Sequence, residues 1–276
     1  MIIDSHQHYW KISRTDYGWL KPEVGRIYRD YLPEHLTPLL QQYGVHQTVV
    51  VQAAPSTEET EFMLQLADNE ETIAGVVGWL DMEAESFGQQ LNHYRKHPKF
   101  VGIRPMIQDL PTEWLLQDRV LGHLKLLAET GFPIDLQANT RHLPVIVEVL
   151  RYIPELHAVI DHLAKPDRLG GALQPWGAQM AEIAAYPNIM CKLSGMVPES
   201  EDAPWSQATI SPFAEHVIRI FGKNRVMFGS DWPVCLFSAT YEQVMELFAS
   251  FIGADWTEAE IEAVYAQNAI RFYRLG

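Results

Sequence analysis

An α/β chain closed into a single (β/α)8 barrel of the TIM class, over residues 1–276, is the architecture this sequence predicts, and three observations lead to it. About 250 residues is typical of one such barrel. No Pro/Gly/Ser linker or low-complexity run divides the chain into smaller units. Eight short apolar, β-branched runs alternate with longer segments of helical spacing, the pattern of repeated βα units around a parallel sheet.

In chain order the runs are 2–6, 48–52, 75–80, 101–105, 134–137, 158–162, 189–193 and 226–231. The segments between them fit helices laid on the outside of the sheet. Tyr241, Val244, Phe248 and Phe251 recur at three- and four-residue steps, and Ile261, Val264, Tyr265 and Phe272 do so with one wider gap. Ser56 with Glu59, and Thr257 with Glu260, have capping-box spacing, in which hydroxyl and carboxylate satisfy the free amides of a helix start. Gly44, Gly131 and Gly222 follow helical segments just before strands, where a left-handed C-terminal cap is easiest for glycine. An open doubly wound sheet also alternates strand and helix, but it advertises a Gly-rich phosphate loop after its first strand. Here that stretch is His6-Gln7-His8-Tyr9-Trp10, without glycine.

Lys and Arg number 21 against 35 Asp and Glu, a formal net charge of -14. That balance repels phosphate backbones and anionic membrane surfaces, so nucleic acid is not an expected partner. The opening Met1-Ile2-Ile3-Asp4 lacks a basic segment followed by a long apolar one, and no apolar run reaches membrane-spanning length. The expectation is a cytoplasmic protein with a small-molecule substrate; oligomeric state is not legible. Cys191 and Cys235 are too few for a disulfide framework and lack zinc-ribbon spacing; without a paired base neither is expected to act as a nucleophile.

In a barrel of this kind reactive groups gather at the C-terminal ends of the strands. Reading those ends gives His6 and His8, Gln52, Trp79, Arg104, Gln137, His162, Lys192 and Asp231. His6 and His8 are two apart, so they project from one side of a strand. Each residue also has a bland reading: Gln52 caps a backbone group, Trp79 fills the barrel mouth, Lys192 snorkels outward. A helix-start role is the blander reading of His142. His35, His46, His93, His97, His123, His157 and His216 fall away from the inferred opening.

Asp4-Ser5-His6-Gln7-His8, Val159-Ile160-Asp161-His162 and Phe228-Gly229-Ser230-Asp231-Trp232-Pro233 resemble the amidohydrolase superfamily over essentially the whole chain. Gly102-Ile103-Arg104, Lys192-Leu193-Ser194-Gly195 and Gly229-Ser230-Asp231-Trp232-Pro233 resemble its amidohydrolase 2 lactonase group, which includes fuconolactonases, rhamnonolactonases and pyrone-dicarboxylate lactonase. The resemblance implies hydrolysis at the barrel mouth. Metal-dependent members of the superfamily usually add a Lys or Glu on the fourth strand and a His on the fifth; those positions are Arg104 and Gln137 here. The expectation is therefore that no metal is required, with His6, His8 and Asp231 able to supply three ligands to a single zinc or manganese ion.

On this reading Asp231 is the general base, His6, His8 and His162 polarise the carbonyl, and Arg104 adds a fixed positive charge. Lys192, Gln137, Gln52, Trp79, Trp10 and Trp232 would bind hydroxyls or stack on a sugar face. Segments 10–36 and 194–212 are long enough to form a rim or lid. A neutral aldonolactone is favoured by the tryptophans; a dicarboxylate lactone would draw on Arg14, Arg26, Lys165 or Lys192. A metal-dependent amidase or decarboxylase, and a sugar-acid binding protein without catalysis, are the rival readings.

Overall fold

The computed structural model describes residues 1–168, 170–200 and 204–276. Eight parallel strands run in chain order around one sheet: β1 (Ile3–Gln7), β2 (Gln47–Val51), β3 (Ile73–Gly78), β4 (Phe100–Ile103), β5 (Ile134–Leu136), β6 (Ala158–Ile160), β7 (Ile189–Leu193) and β8 (Val226–Phe228). The sheet closes where Gln7 bridges Trp232: Asp231 N donates to His6 O and His8 N to Trp232 O, both at 2.7 Å. Helices follow the strands, among them α1 (Pro33–Tyr43), α2 (Thr57–Asn69), α3 (Phe87–Tyr94), α4 (Asp118–Thr130), α5 (Leu143–Tyr152), α6 (Trp176–Ala184), α7 (Gln207–Phe221) and α8 (Tyr241–Ala249). The eight-stranded parallel barrel expected from the sequence is the one observed. Several strands end one to three residues earlier than their apolar runs, and of the residues that close those runs Gln137, His162 and Asp231 lie at the barrel mouth.

Two apolar layers hold the barrel. The larger lies between sheet and helices. The smaller fills the barrel floor, where Ile3, Val49, Val51, Val77, Val159, Met190 and Met227 pack against Phe272 and Tyr273. Those last two belong to α10 (Asn268–Tyr273), which is joined to α9 (Glu258–Glu262) by a π-helical turn over Ala263–Gln267. The wider gap in the apolar spacing between Tyr265 and Phe272 is this π turn, which re-aims the helix so that it plugs the floor. No helix among the described residues is long and apolar enough to cross a membrane.

Helix caps follow the expected chemistry with two departures. Thr257 and Glu260 form the reciprocal box, and Gly44 and Gly131 adopt left-handed caps. Gly222 has positive φ but an extended ψ of 157°. Ser56 accepts from Glu59 N as expected, yet the Glu59 carboxylate does not return to the cap. It is buried instead, taking Ala53 N at 2.8 Å and Tyr17 OH at 2.9 Å, with Arg14 3.2 Å away. Glu59 thereby ties the segment after β1 to the end of β2, which forms one wall of the barrel mouth.

Burial pushes the Glu59 carboxyl up to about 7, against partial relief from Ala53 N and Arg14. A carboxyl whose folded pKa exceeds its unfolded value costs nothing below about 4.5 and its full penalty above about 7, so its contribution lowers stability as pH rises through that window. The gap corresponds to ~3 kcal/mol. Glu59→Gln is expected to be more stable than the parent at pH 8 and no more stable at pH 4.5, read from urea midpoints at the two values.

Candidate active site

At the end of β1 the pairing register slips between Asp4 and Gln7. A regular strand would send Ile3 and His6 to opposite faces, but the irregularity lets Ile3 line the floor while His6 and His8 both turn inward above it. Their rings meet edge to face with centroids 4.9 Å apart. Asp4 turns outward and secures the corner, its Oδ1 accepting from Ser230 N and His6 N and its Oδ2 from Tyr241 OH. Beside it Gly229 lies so close that a Cβ would come 2.7 Å from His6 Cβ. The chain can cross there only as glycine.

Asp231 follows in a left-handed conformation, φ 58°, and its side chain enters the mouth. Three imidazoles converge on its Oδ1: His8 Nε2 at 3.2 Å, His6 Nε2 at 3.7 Å and His162 Nε2 at 3.9 Å. Hydrogen-bond partners assign the rings. His8 Nδ1 lies 2.7 Å from Val51 O, and a carbonyl only accepts, so Nδ1 carries the proton. The remaining Nε2 and the Asp231 carboxylate are then two acceptors face to face, a contact that requires one proton or one cation between them. Burial pushes the Asp231 carboxyl up, and the contact with His8 pulls it part of the way back.

His162 opens an unusual turn. His162, Leu163, Ala164 and Lys165 all have φ between 47° and 56°, four non-glycine residues in succession in the left-handed region. Such residues cost roughly 1–2 kcal/mol each. The turn is held by Lys165 N donating to His162 O, Trp176 Nε1 donating to Leu163 O, and Ser194 Oγ 2.9 Å from His162 Nδ1. Its effect is to aim His162 and Lys165 into one cavity. Gly195 lies beneath the ring, where a Cβ would sit 2.4 Å from His162 Nδ1. Gly195→Ala is therefore expected to displace the imidazole and lower kcat by about 100-fold, the scale of a catalytic group moved by ~1 Å; activity within twofold of the parent would remove His162 from the chemistry.

Below this cluster lies a buried ionic chain. Tyr273 OH donates to Asp135, Lys192 Nζ meets Asp135 Oδ2 at 2.5 Å, and the same ammonium lies 3.1 Å from His6 Nδ1 and 3.3 Å from Asp161 Oδ1. Arg104 approaches Asp161 Oδ2 at 3.6 Å. An ammonium only donates, so at 3.1 Å His6 Nδ1 accepts from Lys192, with Asp161 Oδ1 3.4 Å from the same nitrogen, and the ring proton sits on Nε2, toward Asp231 Oδ1 at 3.7 Å. Burial drives the His6 imidazole well below its usual range and Lys192 drives it further, so the ring is neutral. Burial acts to raise the Asp161 carboxyl, but Lys192 and Arg104 among its neighbours outweigh it and hold it low.

The cavity above these groups has a volume of about 310 Å³, and His8, His162, Asp231, Arg104 and Gln137 all line it. His6 lies immediately beneath. The Arg104 Nε and the Gln137 Oε1 are buried without hydrogen-bond partners among the described residues, free donor and acceptor at a polar wall.

Other expected members lie elsewhere. Lys192 is wholly buried in the ionic chain rather than exposed to the cavity. Gln52 donates to Arg104 O at 2.8 Å while the Arg104 guanidinium donates back to Gln52 O, a clamp between strand ends that matches its bland reading. Trp10 is enclosed by Trp19 and Tyr31, with Nε1 donating to Arg29 O; Trp232 is enclosed by Tyr9 and Tyr31. Both are packing residues, because the chain after β1 folds down as Trp10 and Tyr31 exchange backbone bonds. Trp79 lines a neighbouring cavity. His142 sits at a helix start, accepting from Asn139 N.

Sequence reading missed Asp135, Asp161, Tyr273, Ser194 and Glu199, and offered Lys165 only as a cation for a dicarboxylate. The inward parity of Asp135 on β5 and Asp161 after β6 was a usable signal, since an acid on a barrel-facing strand position needs a partner. Segment 10–36 supplies Trp19 and Val24 to the cavity rim, and segment 194–212 supplies Glu199, which pairs with Lys165 at 2.6 Å; residues 201–203 of that segment lie outside the described residues. Both cysteines are buried, and burial pushes their thiols up, against a nucleophilic role.

Comparison with known proteins adds the lineage. An L-fucono-1,5-lactonase of Burkholderia ambifaria is 36% identical over 99% of this chain and 95% of its own length. A second L-fucono-1,5-lactonase, from Burkholderia multivorans, is 34% identical over 99% of this chain and 96% of its own. The crystal structure of an amidohydrolase from Burkholderia multivorans with bound zinc superimposes with a TM-score of 0.94 at 33% identity, covering all of both chains. The family model described as amidohydrolase matches residues 3–275. Barrel, histidine pair, strand-eight aspartate and full-length similarity agree: this chain belongs to the amidohydrolase family.

Proposed function

We propose that the chain is a lactonase that opens a neutral sugar lactone to the sugar acid with water activated by Asp231. The observation that carries this reading is the convergence of three histidines on one buried carboxylate at the floor of a sugar-sized cavity. The two L-fucono-1,5-lactonase relatives support the reaction class.

The residues divide the work as follows. Asp231 Oδ1 faces His8 Nε2, with the proton between them held on the imidazole, so the other carboxylate oxygen takes the proton of a water poised over the lactone carbonyl. Arg104 and the Nε2 proton of His6 face the carbonyl oxygen as it becomes negative, where fixed donors in a dry site have their largest effect. Asp231 then returns the proton to the ring oxygen as the C–O bond breaks. Gln137 and the Lys165–Glu199 pair meet substrate hydroxyls. The cavity cations are Arg104, beside Asp161, and Lys165, paired with Glu199, and Arg14 is committed to Asp16 and Glu59. That balance suits a neutral ring better than a dicarboxylate.

His6, His8 and Asp231 offer ligand atoms within 4.8 Å of one another, which fits a single divalent ion. When bound, such an ion would polarise the carbonyl as a Lewis acid. The Lys192 ammonium behind His6 places a positive charge close to that ion, and on this ground the proposal assigns hydrolysis to Asp231 without it. A pH-indicator screen of five- and six-membered sugar lactones, run before and after exhaustive chelation, tests the whole reading. Turnover of a neutral aldonolactone that survives chelation is the expected outcome. Loss on chelation with recovery in zinc would assign the reaction to the metal form, and no turnover of any lactone would leave the sugar-acid binding role.

A further inference from the structure

Next to the catalytic cavity lies a second, larger one of about 420 Å³, and the two share Trp19, Met106 and Asp109. It is built from the loops that follow β1, β2, β3 and β4, so it opens on the same face of the barrel. Its walls carry three indoles, Trp19, Trp79 and Trp114, and its acids are Asp81, Glu83 and Asp109.

Trp114 is the informative member. It is 6% exposed, and its Nε1 has no hydrogen-bond partner among the described residues. Buried indole N–H groups usually find an acceptor, and leaving one unpaired is unfavourable. An occupant with an acceptor oxygen would satisfy it. Flat indole faces match the C–H face of a pyranose, and the carboxylates at the rim accept from its hydroxyls; a purely hydrocarbon occupant would leave the Trp114 donor without a partner.

We propose that this annex is a binding subsite for a second sugar ring, joined through a glycosidic bond to the lactone held in the catalytic cavity. The inference rests on the lactonase reading and narrows it: glycosylated aldonolactones, not only single-ring ones, are substrates. Trp114 and Trp79 determine that preference without touching the reacting carbonyl.

The test compares glucono-1,5-lactone with glycosyl-gluconolactones linked through the 3-, 4- and 6-hydroxyls, using the parent, Trp114→Phe and Trp79→Ala. At least one glycosyl-lactone is expected to exceed the single-ring lactone in kcat/KM by about tenfold, equivalent to 1.4 kcal/mol. Each variant should erase that advantage while leaving the single-ring lactone within twofold of the parent. Quenching of tryptophan fluorescence by cellobionate, weakened in both variants, reads the subsite without turnover. If the single-ring lactone turns over and no glycosyl-lactone gains, or if the variants slow both classes equally, the annex is not a sugar subsite. A greater gain from phenyl- or alkyl-substituted lactones would likewise overturn it. If no lactone reacts yet cellobionate still quenches, the lactonase reading fails and the subsite stands.

Discussion

Asp231→Asn is expected to lower kcat for lactone hydrolysis by about 10³-fold, within the range general acid–base catalysis supplies, while leaving the fold intact. Asparagine keeps the size and planarity of aspartate but cannot take a proton from water. Its amide can donate to His8 Nε2, the atom that in the parent faces Asp231 Oδ1 at 3.2 Å. The variant therefore resolves the confrontation of two acceptors without a shared proton, and it removes a carboxyl that burial disfavours. Thermal unfolding should occur at or above the parent temperature. Near-parental kcat in a folded Asp231→Asn protein would take the base role away from this residue.

A different signature is expected for Lys192→Met. Lys192 is fully buried with its Nζ among Asp135, Asp161 and His6. Methionine fills similar space but leaves the carboxylates of Asp135 and Asp161 without that cation. Removing one partner of a buried ion pair costs about 3–5 kcal/mol, which for a chain of this size corresponds to a fall of about 10 °C in the unfolding temperature. Turnover should fall as well, because the donor that keeps the His6 proton on Nε2 is gone. Adding Asp135→Leu to Lys192→Met should return part of the lost stability by removing one orphaned charge. Had Lys192 contacted substrate, the single variant would raise KM with stability intact; that pattern would refute the bracing role.

The parts of this protein written in local pattern were legible in the chain. Alternating apolar runs and helical spacings specify eight βα units because side-chain period and burial are properties of a few adjacent residues. His6, His8, His162 and Asp231 could be picked out because strand ends at one face of a barrel must converge. The tryptophans could not be sorted the same way. Whether an indole faces a cavity, as Trp19 and Trp79 do, or packs beneath a folded-back loop, as Trp10 and Trp232 do, depends on contacts made far along the chain.

Sequence by itself determined the barrel, its strand order and the group of residues from which the site is drawn, since periodicity marks the strands and their C-terminal ends gather at one face of the barrel. Tertiary structure alone decided how those residues are used. The register slip in β1 and the left-handed turn at His162–Lys165 set the aim of three imidazoles. The ionic chain from Tyr273 to His6 joins residues at opposite ends of the sequence. Proton positions follow from those neighbours, and a neighbour across the barrel leaves no trace in the spacing of either residue along the chain.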